Sequence, residues 1–122
     1  MLPEARPSSP SSWRGNSRRF ARVPLVVRGT NSAEERFRET ARTIMIQAQG
    51  GLLYLNESVE IDVTLILYNP ETEEEQECRV NYLGEVSRQG QRVGVEFISP
   101  APHFWGVDFS ATAPPQRAVT PT

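Results

Sequence analysis

At 122 residues, with 38% hydrophobic and 23% charged residues, the chain has material for one small core and not for two. Its net charge of −2 hides an imbalance: residues 1–42 carry nine Arg against four Glu, about +5, while residues 43–122 carry four Arg against eleven acidic residues, about −7. A basic front of that size suits a small anionic partner, and the acidic remainder argues against extended DNA or RNA.

Residues 1–17, rich in proline and serine with little to bury except Trp13, read as a flexible leader. Arg18-Arg19-Phe20-Ala21-Arg22-Val23-Pro24-Leu25 follows. Pro24 and the β-branched valines argue for an irregular arm that runs into a first strand over Val23 to Thr30. Gly29 and Asn31-Ser32 close that strand. Glu35 to Ile46 reads as an exposed strand, although Glu and Arg would also tolerate a helix over Ala33 to Ala41. Gln47 to Gly51 breaks the pattern, and Leu52 to Leu55 restarts it as a short buried strand.

From Val59 to Tyr68, Val59, Ile61, Val63, Leu65 and Leu67 alternate with their neighbours, the period of a half-buried strand. Asn69-Pro70-Glu71-Thr72 turns the chain. A strand from about Glu75 to Leu83 and another through Val93, Val95 and Phe97 are separated by Ser87-Arg88-Gln89-Gly90. His103-Phe104-Trp105-Gly106-Val107-Asp108-Phe109 has the composition of a segment that covers an open barrel end, and residues 110–122 read as a flexible tail. The sum is an all-β fold: a small, six-stranded antiparallel barrel over residues 18–109 between flexible N- and C-terminal tails.

Catalytic material is poor. The one histidine, His103, has no second histidine or spaced cysteine with which to hold a metal, and it permits no Ser/His/Asp set. Cys78 falls on the apolar side of a strand, where a thiol is buried and inert. As the one cysteine it excludes an intramolecular disulfide and fits a reducing compartment. The glutamates from Glu71 to Glu77 sit at a hairpin tip without a dry pocket, and Gly50-Gly51 lacks the lysine of a phosphate loop. The expectation is a binding protein, not an enzyme, with no cofactor and no metal. The start of the sequence lacks the apolar core of a signal peptide, and no apolar run approaches a membrane span, so a cytoplasmic location is expected.

The arm Arg18–Arg22, a strand pair leading to Gly50-Gly51-Leu52-Leu53, the long alternating strand and the closing Val93-Gly94-Val95-Glu96-Phe97 together resemble the PilZ domain family. The resemblance covers about residues 17 to 109. It implies a six-stranded antiparallel barrel that binds the bacterial second messenger cyclic di-GMP. The family's RxxxR arginines would be Arg18 and Arg22, which reach phosphates and guanine edges, and Arg19 would add a phosphate contact or a stacking face. The family's DxSxxG motif is degenerate here: aligned on Gly50, it has Met45 at the Asp position and Gln47 at the Ser position. The resemblance therefore implies a ligand site of Arg18, Arg19, Arg22, Gln47 and Gly50, in which Gln47 would supply an amide contact.

The expected mechanism is that cyclic di-GMP pins residues 14–23 onto the barrel and so creates a surface for a downstream protein. The alternative is a degenerate domain without nucleotide binding that acts as a protein-interaction scaffold through its barrel and the Phe104-Trp105 segment.

Overall fold

A computed structural model describes residues 18–107 and residue 109. The expected leader over residues 1–17, with Trp13, and the expected tail over residues 110–122 lie outside the described residues. Seven strands follow in order: β1 Arg18–Phe20, β2 Pro24–Thr30, β3 Arg36–Gln47, β4 Gly50–Leu55, β5 Thr64–Asn69, β6 Glu74–Ser87 and β7 Gly90–Phe97. β2, β3, β4, β7, β6 and β5 pair antiparallel in that cycle, and β5 returns to β2, which closes a six-stranded barrel. Closure leaves no free edge in the ring.

The alternation of residue types accounts for the core. Leu25 and Val27 of β2, Leu53 and Leu55 of β4, Leu65 and Leu67 of β5, and Val93 and Val95 of β7 all point inward and are almost fully buried. Each such side chain contributes about 1.5–3 kcal/mol on burial. β3 has two jobs. Its residues 36–42 pair with β2, and residues 45–47 pair on the same edge with β1. A register shift against β4 between Thr43 and Met45 sets Ile44 aside from the ladder, which bends the strand there.

Three sequence expectations change. The helix tolerated over Ala33 to Ala41 is absent, because Asn31 Oδ1 caps the turn by accepting from the amides of Ala33 and Glu35 and β3 starts at Arg36. The long strand expected from Val59 begins only at Thr64: Asp62 has a φ of 73° and Ile61 is exposed, so the chain is bent where the pattern reads as extended. Val59 is nonetheless buried, since a loop can aim an apolar side chain inward as well as a strand can. The break over Gln47 to Gly51 shrinks to Ala48-Gln49, and both glycines belong to β4.

The aromatic segment lies where its composition points. Phe104 is fully buried and stands edge-on to Phe97 and Trp105, with ring centroids 5.2 and 4.9 Å away. Three hydrogen bonds hold it across the barrel end. Trp105 Nε1 donates to the Gln47 carbonyl at 2.8 Å, and the Phe104 carbonyl accepts from Asn69 Nδ2 at 2.8 Å and Thr72 Oγ1 at 2.9 Å. Both aromatics are consumed by the core, so Phe104-Trp105 offers no docking surface, which corrects that part of the scaffold expectation.

Candidate functional site

The arm is docked. Arg18, Arg19 and Phe20 pair with Gln47, Ile46 and Met45 of β3. Beyond them the Ala21 amide donates to the Ile44 carbonyl at 3.2 Å, and the Val23 amide donates to Thr43 Oγ1 at 2.8 Å. The Thr43 hydroxyl in turn donates to the Ala21 carbonyl. Thr43 is 2% exposed, so this hydroxyl is shielded from competing water. Residues 18–23 are therefore held on β3 by protein groups in the structure described; residues 14–17 lie outside the described residues.

Because β1 is extended, its side chains alternate. Arg18 and Phe20 share one side, and Phe20 is 85% exposed. Arg19 turns to the other side, where its Cζ lies 5.7 Å from the centroid of the Phe109 ring, within cation–π range. Its Nε is buried without a hydrogen-bond partner. Arg19 is thus half-buried and engaged with the barrel-end segment. Arg18 and Arg22 are not stacked as in a helix: β1 ends at Phe20 and Arg22 lies in the link to β2, so they would address different points of a ligand.

Gln47 and Gly50 have structural explanations. Gln47 is 3% exposed, and its Oε1 has no hydrogen-bond partner among the described residues. Met45, at the family's Asp position, is also buried. A Cβ on Gly50 would lie 2.0 Å from the Val95 carbonyl oxygen, so the close approach of β4 to β7 requires glycine there. The structure brings Arg18, Gln47 and Gly50 into one cross-strand row, but only Arg18 of the three presents an exposed side chain.

Arg22 lies elsewhere. It lines an open groove of about 710 Å3 formed by Phe20, Ala21 and Arg22 of the arm, Glu39 to Ile44 of β3, Tyr54, Asn56 and Gln89. The volume is in the range of about 300–1,000 Å3 typical of small-molecule sites. Arg42 shares this groove. The carboxylate there, Glu39, spends its oxygens on the amides of Asn56 at 2.7 Å and Glu57 at 3.0 Å, pinning the loop after β4. Among the described residues neither Arg22 nor Arg42 has an ion-pair partner, whereas Arg28 does, in Glu75. Sequence reading missed Arg42 and Tyr54. The exposed alternation of Glu35 to Ile46 was the available signal for Arg42, but its neighbours depend on strand register.

Cys78 is fully buried, and burial with a smaller push from Glu77 raises its thiol well above the ordinary range, so it is a core residue and not a nucleophile. Among the described residues no helix is long and apolar enough to cross a membrane.

Comparison with protein-family models and with curated protein sequences finds no match. Among solved structures the chain is similar to the inhibitor of motility MotI/DgrA of Bacillus subtilis, at 20% identity with a TM-score of 0.47. The match covers 70% of this chain and 43% of that one. The likeness is too slight to assign a function. The closed six-stranded antiparallel ring is the architecture that the PilZ resemblance implies.

Proposed function

We propose that the chain is a cytoplasmic cyclic di-GMP receptor or adaptor that passes a second-messenger signal to a downstream protein. The observation that carries this reading is the pair of un-neutralised guanidinium groups, Arg22 and Arg42, on one groove of small-molecule size beside the docked arm. Arginine forks onto phosphate oxygens and onto guanine O6 and N7, so two such groups suit a ligand that carries both. Arg18, exposed at the start of the arm, would reach a second point of the same ligand. Since the arm is already docked, binding would tighten a preformed site, and the signal would lie in the altered charge and shape of the arm's outer face.

The scaffold alternative keeps one observation in its favour. Met45 and Gln47, where the family has a carboxylate and a hydroxyl, are buried and offer a guanine no acceptor. Loss of a charged partner costs about 1.5–3 kcal/mol, so affinity would be lower than with an intact motif. Thermal melting separates the two readings. A receptor gains Tm with rising cyclic di-GMP and not with equal GMP, because a ligand of the folded state stabilises it by mass action. A melting curve unmoved by millimolar cyclic di-GMP leaves only the scaffold.

A further inference from the structure

We propose that a cross-strand row next to the groove, Arg42–Tyr54–Arg92, is a base-stacking subsite that completes the site begun by Arg22; this rests on the nucleotide reading above. Arg42 of β3 pairs with Tyr54 of β4, which pairs with Arg92 of β7. Directly paired residues share a sheet face. That face is the outer one, because the flanking Ala41, Thr43, Leu53, Leu55 and Val93 are buried in the interior. Strand spacing of about 4.8 Å places the two arginine Cα atoms about 10 Å apart with the tyrosine between them.

The chemistry of the row is specific. A half-buried tyrosine on an outer sheet face offers one side of its ring to a planar group. Guanidinium groups on both sides hold anionic substituents of that group, and each can also lie over a base. Arg92, like Arg42, has no ion-pair partner among the described residues. The groove continues the row: Tyr54 and Arg42 line it together with Arg22 and the exposed ring of Phe20. A purine stacked on Tyr54 would therefore have its phosphate within the span of Arg22 and Arg42. The acidic partner missing at Met45 is thereby replaced by stacking and charge from a different part of the barrel.

Equilibrium dialysis of labelled cyclic di-GMP against the full chain tests this, with far-UV circular dichroism to confirm folding of each variant. Tyr54→Ala and Arg92→Gln should each weaken binding about ten-fold or more, as expected for loss of a base stack or a charged contact. Tyr54→Phe, which keeps the ring, should bind as the natural chain does. Arg36→Gln, six residues along β3 from Arg42, should leave binding unchanged. If Arg22→Ala abolishes binding while Tyr54→Ala and Arg92→Gln retain it, the subsite is overturned and the receptor reading stands. If the natural chain itself retains no nucleotide, the receptor reading falls and the subsite falls with it.

Discussion

The indole Nε1 of Trp105 donates to the carbonyl oxygen of Gln47 at 2.8 Å, which joins the segment after β7 to the end of β3 beside the arm. Gln47 pairs with Arg18, and Arg19 lies over Phe109, so the arm meets the barrel-end segment directly at Arg19 and through Gln47 of β3 at Arg18. Trp105→Phe keeps most of the packing and deletes the donor. It should cost about 0.5–1.5 kcal/mol in urea unfolding, since it removes one buried hydrogen bond.

Asn69 holds the other side of the same segment. Its Nδ2 donates to the Phe104 carbonyl and its Oδ1 accepts from the Glu71 amide, at full burial. Asn69→Ala should lower stability by about 1–3 kcal/mol. Asn69→Asp should lower it further at neutral pH, where a buried carboxylate would face the Phe104 carbonyl oxygen. That extra loss should shrink as pH falls and the carboxyl becomes a donor, which melting curves between pH 4 and pH 8 would show.

Gln47 illustrates the reverse case. Its main-chain carbonyl is used, but its side-chain Oε1 is buried and unpartnered. Gln47→Leu, of similar size, should therefore be neutral or stabilising by about 1 kcal/mol. It should also leave cyclic di-GMP affinity unchanged, because the side chain is not presented to solvent. A stability loss of several kcal/mol would contradict this account of the amide.

The barrel and its barrel-end cover were legible because alternation and aromatic clustering report burial directly: Leu25, Val27, Val93, Val95 and Phe104 all lie where their pattern puts them. The run from Val59 misled because period two records which side chains point inward, not whether the backbone between them is extended. At Asp62 it is not. The arm was legible as an arm, but not as a docked one, because its anchors, the β1–β3 ladder and the buried Thr43 hydroxyl, lie twenty or more residues away in sequence. Arg42 and Tyr54 were out of reach for a related reason. Their meeting depends on the register of β3 against β4, where Ile44 is set aside, and no local pattern encodes that shift.

The Cys78 thiol should be silent towards Ellman's reagent in the folded protein and react on unfolding, since burial raises it far above the ordinary thiol value. In the unfolded chain the thiol ionises near pH 8.5. Its raised folded value means that the stability it confers is complete below that pH and falls as pH rises above it, because the unfolded state then binds fewer protons. Cys78→Ala should remove that part of the alkaline loss, at the cost of a small cavity.

The central claim, that Arg22 belongs to a nucleotide site on the barrel, is tested most directly by titration calorimetry of the full chain with cyclic di-GMP beside Arg22→Ala. The account predicts saturable heat for the natural chain and none for the variant, whose main chain at residue 22 is unaltered and whose melting temperature should stay unchanged. Equal heat from both, or no heat from the natural chain at high micromolar ligand, would contradict it.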